Sequence, residues 1–175
     1  MRNTEKIYEK AMKIMNSSGS CDMKKLAKSL GITVYFENDY KNLMGMYTAA
    51  FKRRTIFINA NLDENLTQLV LAHEIGHDAL HRDLARKNTF QEFKLFRMKD
   101  NTEYEANAFA SHLLLDTEEF IALSKQGYTI SEIANCMNTE INMALIKQNE
   151  LAELGYHLKK PDYTKSDFLK SIKAE

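Results

Sequence analysis

Apolar residues recur at three- and four-residue intervals through the first segment of the chain, at Ile7, Ala11, Ile14 and Met15. This spacing predicts a helix with one buried stripe, ending at the turn-forming run NSSGS. Asp22 is placed to cap a second short helix, MKKLAKSLG, and its closing Gly31 suits a left-handed position after the helix end. The period then shortens to alternation. ITVYFE reads as a strand, and the apolar runs LMGMYTAAF and RTIFIN flank the basic tripeptide KRR as the arms of a β-hairpin. Together they predict a small three-stranded antiparallel sheet.

From Asn61 to about Leu84 the pattern is helical again, with Leu62, Leu66, Leu69, Val70, His73, His77 and Leu80 on one face and acids at the start. Residues 85–99 mix aromatic and basic side chains without periodicity and read as an irregular connection. Asp100 and Glu103 have the spacing of a capping box, opening an apolar helix, EYEANAFASHLLL, that runs to about Leu115. A further helix, TEEFIALSKQG, precedes two helices separated by a turn near Asn138, the first opened by a Thr129 and Glu132 capping box. The expected class is α+β, mostly helical. The expected division is a principal domain over 1–120, a helical, helix-turn-helix-like lobe over 121–158 and a lysine-rich tail over 159–175.

Composition narrows the possible functions. Basic and acidic residues number 24 each, so the overall charge favours neither nucleic acid nor an anionic membrane. The second helix of the C-terminal pair begins TEINMAL, without the arginine or lysine that phosphate and guanine contacts require, so direct DNA binding is not expected. Cys21 and Cys136 have no cysteine or histidine at metal-ligand spacing and read as reduced, buried thiols. The N-terminus lacks the apolar core of a signal peptide, and no run approaches the roughly 18 residues of a membrane span, so a cytoplasmic location is expected.

Chemistry concentrates in LAHEIGHDALH, residues 71–81, which holds three of the five histidines. On a helix, residues four apart lie about 40° from one another around the axis and roughly 6 Å along it, so His73 and His77 can point at one ion. A catalytic zinc keeps three protein ligands and one water, whose pKa falls from about 15.7 to about 7. Glu74, one residue beyond the first ligand, is then the expected general base. An ordinary histidine-rich surface helix is the bland alternative. The apolar flanks of both histidines argue against it.

A third ligand must come from elsewhere. His81 would lie about 12 Å along a straight helix from His73, too far to share its ion, and suits the helix end. The longer extension found in metzincins is absent. On the next helix Glu105 shares a face with Phe109 and His112, and an acid committed to a buried face needs a partner such as a metal. Glu105 is therefore the expected third ligand, with Glu103 left to the capping box. Manganese or iron would suit two histidines and a carboxylate as well as zinc does.

AHEIGH, followed 28 positions later by EANAFASHLLL, resembles the ImmA/IrrE family of zinc metallopeptidases. The resemblance extends over most of the chain and implies a zincin-like fold, with His73, His77 and Glu105 as metal ligands and Glu74 as the catalytic residue. Asp116 departs from the proline that often ends the family's second motif. The family cleaves helix-turn-helix repressors and so switches on genes of mobile elements or stress responses, which implies a repressor as protein substrate here. In zincin-like proteases a substrate strand pairs with a sheet edge, which by resemblance would be the 43–58 hairpin. His112, Tyr104, Tyr128, Tyr156 and His157 all remain open as the oxyanion-stabilising group. The rival reading is a regulatory protein that keeps the metal site but acts by binding a repressor or DNA. It would have no need of Glu74.

Overall fold

The computed structural model describes residues 3–19, 22–86, 90–92 and 101–158. The tail from Lys159, Asp100 and much of the expected irregular connection lie outside the described residues. Helices α1 (Thr4–Ser18) and α2 (Met23–Ser29) precede strands β1 (Thr33–Glu37), β2 (Gly45–Thr48) and β3 (Thr55–Asn59). Then come helix α3 (Glu64–Ala85), strand β4 (Phe90–Glu92), and helices α4 (Asn101–Leu114), α5 (Thr117–Lys125), α6 (Ile130–Cys136) and α7 (Ile141–Glu153). The class is α+β, as expected. Among the described residues no helix is long and apolar enough to cross a membrane.

Short-range signals set most boundaries. The Asp22 carboxylate accepts from the Lys24 and Lys25 amides, Asp63 from Leu66 and Asp116 from Glu119, while Thr129 and Glu132 form a reciprocal capping box. Each such cap contributes about 1 kcal/mol and fixes where its helix begins. Asp116, the departure from the family motif, thus opens α5. Gly31 takes the expected left-handed conformation, with φ 72°.

The sheet differs from the expected meander. Its order is β1-β3-β2-β4, and β1 runs parallel to β3 while β2 is antiparallel to both β3 and β4. Alternation in the sequence reports that a segment is extended and half-buried, but it carries no record of which strand becomes its neighbour. β3 inserts between β1 and β2, and a short strand, β4, forms within the segment read as irregular. Both strands of the 43–58 hairpin therefore have neighbours on each side.

α3 is the centre of the fold. It is buried at every position from Leu69 to Asp78, because the sheet covers one side and α4 another. The contacts are close enough to exclude side chains at two glycines. A Cβ on Gly76 would lie 2.9 Å from the Ala106 carbonyl oxygen of α4, and one on Gly45 would lie 2.8 Å from Glu74 Oε1 and 2.5 Å from Val70 Cγ1. Beneath the sheet, Asp78 accepts hydrogen bonds from the Tyr47 hydroxyl at 2.7 Å, Arg54 at 3.2 Å and Arg82 at 2.8 and 3.2 Å. These donors offset the desolvation of a carboxylate that is almost wholly buried.

One hydrophobic core joins residues on both sides of position 120, including Ile7, Ile75, Phe109, Ile133 and Leu151. Buried polar contacts accompany this core where α4 meets α7 and the start of α5. The buried Lys147 ammonium lies 2.9 Å from Thr117 Oγ1 and 3.1 Å from His112 Nδ1, and the Tyr104 hydroxyl donates to the buried Glu150 carboxylate at 2.7 Å. Burial pushes Lys147 down to about 7 from its ordinary 10.5.

Two predictions follow from this packing. In an open helix Gly→Ala gains about 1 kcal/mol; Gly76→Ala is expected instead to lose about 1–3 kcal/mol, because α3 and α4 must separate. Urea unfolding gives the sign, and a stabilised variant would show that the crossing can relax at no cost. Between about pH 7 and 10.5 the unfolded chain binds more protons at Lys147 than the folded protein does, so this residue makes stability rise with pH across that interval. The expected outcome is a stability advantage of Lys147→Met over the native protein that is largest near pH 7 and shrinks as the pH is raised. An advantage independent of pH would refute the assignment.

Candidate metal centre

α3 carries His73 and His77 one turn apart, and the first turn of α4 lies across them. His73 Nε2 is 3.0 Å from His77 Nε2, and the Glu103 carboxylate approaches these atoms at 3.4 and 3.5 Å. A tetrahedral ion with bonds of about 2.0–2.1 Å separates its donors by about 3.3 Å, which matches this triangle. His73, His77 and Glu103 form a group that could hold a divalent metal, with the two histidines buried and Glu103 partly so.

The chemistry of the donors agrees with that reading. His73 Nδ1 lies 3.0 Å from the Asn107 side-chain oxygen, which can only accept, so the Nδ1 carries the proton and Nε2 presents a lone pair. Burial is the main cause that pushes His77 down to about 4, which favours the neutral imidazole a metal requires. Phe90 of β4 stacks on the His77 ring at 4.1 Å between centroids, nearly parallel at 16°. Glu74, the residue after His73, is fully buried under the side-chain-free surface of Gly45.

Of the four residues singled out in the sequence, His73 and His77 meet here, and Glu74 is buried at the position after His73 on α3. The fourth does not join the triangle. Glu105 pairs with His81 at 2.9 Å, and Glu103, assigned in the sequence to a cap, takes the position against the imidazoles. The reason lies in the packing of α4, buried at every position from Ala106 to Leu113, so sharing a face with Phe109 and His112 marks no particular neighbour. Glu103 and Glu105 are two residues apart, about 200° around the axis, and cannot meet the same ion from one helix. The informative spacing is Glu103 to Asn107, four residues, because both touch the histidine pair.

Two of the five oxyanion possibilities are engaged at the α4 and α7 interface: His112 contacts Lys147, and Tyr104 donates to Glu150. Tyr128, Tyr156 and His157 are exposed. Cys136, expected to be buried, is an exposed free thiol at the end of α6, and Cys21 lies outside the described residues.

Comparison with known proteins adds independent information. Residues 27–147 match the peptidase family described as the IrrE N-terminal-like domain. Over 131 residues the chain is 34% identical to a protein of Bacillus phage phi105 named "Uncharacterized immunity region protein 2", covering 74% of this chain and 79% of the relative. Over 141 residues it is 31% identical to "Metallopeptidase ImmA" of Bacillus subtilis (strain 168), covering 77% of this chain and 74% of that protein.

Proposed function

Since the chain belongs to the ImmA/IrrE family of metallopeptidases, we propose that it is a zinc-dependent endopeptidase in which His73, His77 and Glu103 hold the ion. The observation that carries this is the triangle of donor atoms, with Glu74 buried at the position after His73 on the same helix. Glu103 replaces Glu105 as the third ligand, for the geometric reason given above. When bound, a zinc ion supplies a Lewis acid for the peptide carbonyl and lowers the pKa of an attacking water.

Glu74 is the general base. Its carboxylate takes a proton from the attacking water as the carbon–oxygen bond forms, and returns it to the amide nitrogen as the carbon–nitrogen bond breaks. One water is consumed and no other reactant is needed. Burial beneath Gly45 keeps the carboxylate from bulk solvent and limits its movement.

The proposed substrate is a helix-turn-helix repressor of a mobile element. The phage relative's name refers to an immunity region, which is consistent with a regulatory setting of that kind. The action is proposed to take place in the cytoplasm. The proposal divides the chain into a catalytic part over 1–120 and a helical lobe over 121–158 that shares its core.

The test uses the purified full-length protein and the repressor encoded beside its gene. The native protein is expected to carry about one metal per chain, to cut the repressor, to lose that activity to a chelator and to regain it with Zn(II). Glu74→Gln is expected to keep the metal while cleavage falls about 10²- to 10⁴-fold. Equal cleavage by this variant would remove Glu74 from the mechanism. Binding of the repressor by both proteins with cleavage by neither, metal supplied, would replace the peptidase with a binding protein.

A further inference from the structure

His81 and Glu105 lie outside the donor triangle, yet they are connected to it. His81 Nδ1 lies 3.1 Å from His77 Nδ1, and His81 Nε2 lies 2.9 Å from Glu105 Oε2. His81 reaches this position by leaving helical geometry inside α3, at φ −123° and ψ 19°. The chain of contacts therefore runs from Glu105 on α4, through a local break in α3, to the back of His77.

Proton bookkeeping gives this chain a direction. An ionised carboxylate has no proton to donate, so the contact with Glu105 requires His81 to carry its proton on Nε2. With a single ring proton, placed on Nε2, His81 presents a lone pair at Nδ1. The 3.1 Å contact with His77 can only be a hydrogen bond if His77 Nδ1 carries the proton. His77 Nε2 is left with its lone pair, and that atom faces His73 and Glu103. The other tautomer of His77 would put a proton where a metal bond must form.

We propose that Glu105 and His81 are positioning residues, a hydrogen-bonded pair that fixes the tautomer and ring orientation of His77 from behind and so prepares its Nε2 for the metal. The inference rests on the reading of His73, His77 and Glu103 as the ligand set. Asn107 performs the corresponding task for His73 in a single step, through its side-chain oxygen. His77 needs two steps because the carboxylate lies beyond His81. Phe90 stacks on His77 and lies at a tilt to His81, with centroids 6.0 Å apart, so stacking restrains the rings while the hydrogen bonds select the proton positions. Contacts to a ligating histidine of this kind typically change metal affinity about 10- to 100-fold.

The experiment measures Zn(II) affinity of the full-length protein by competition with a chelator, with circular dichroism to verify folding and Co(II) absorption to report ligand geometry. His81→Leu and Glu105→Ala are each expected to weaken binding about 10- to 100-fold while retaining a tetrahedral Co(II) spectrum. Glu105→Gln is expected to lose less, since its amide oxygen still accepts from His81. The double variant His81→Leu with Glu105→Ala is expected to bind no more weakly than His81→Leu alone, because a broken chain cannot be broken again. Ring ¹⁵N spectra of the native zinc form should show the proton of His77 on Nδ1 and that of His81 on Nε2.

Affinities of the folded His81→Leu and Glu105→Ala proteins within about twofold of native would overturn the proposal, as would a His81 proton on Nδ1. The underlying ligand assignment is tested separately by Glu103→Gln. Loss of metal and of the tetrahedral spectrum in that variant supports the assignment. Near-native affinity in Glu103→Gln, with complete loss in Glu105→Ala, would make Glu105 the third ligand and overturn both readings together.

Discussion

The backbone contact between Gly76 and Ala106 is the constraint on which the rest of the site depends. Any side chain at Gly76 would meet the α4 backbone, so the absence of one lets α3 and α4 approach until their functional side chains converge. His73 and His77 lie on either side of that glycine in the sequence, and Glu103, Glu105 and Asn107 lie on either side of Ala106. A single point of contact therefore sets three separate meetings: Glu103 with both imidazoles, Asn107 with His73 and Glu105 with His81. Each depends on a tolerance of a few tenths of an ångström, within which a hydrogen bond or a metal bond is either made or lost.

The sheet performs the same service from the opposite side. Gly45 lets β2 settle onto Glu74, while Tyr47, one alternation further along the same strand, reaches Asp78 on the next turn of the helix. Arg54 and Arg82 complete the partners of that carboxylate. Removing one partner from a buried charge of this kind generally costs several kcal/mol, which makes the network selective for one placement of α3 against the sheet. The stretch of α3 that carries Glu74 is thus located by a buried ion one turn further along the same side of the helix.

Much of this was legible in the sequence because it depends on neighbours along the chain. The spacing of His73 and His77, the glutamate between them and the caps at Asp22 and Thr129 are local matters. What could not be read depends on how elements meet. The choice of Glu105 over Glu103 assumed one buried face on α4, but that helix is enclosed around its whole circumference from Ala106 onward, and its rotation about its own axis is fixed by the glycine contact. The parallel pairing of β1 with β3 escaped detection for a related reason: alternation is the same whichever neighbour a strand acquires. His81 was read as a helix-end residue, and only the departure from helical dihedrals at that position brings it to Glu105.

The buried contacts between α4 and α7 have a consequence for genetics. Tyr104 stands between Glu103 and Glu105 in the sequence, and its hydroxyl is held by Glu150, far along the chain. A screen for inactive alleles would accordingly return changes at Glu150 alongside those at the histidines. Placed on a C-terminal helix, such alleles would resemble marks of a docking surface. They would in fact trace the foundations of α4, and suppressors would be found among its packing partners rather than in the substrate.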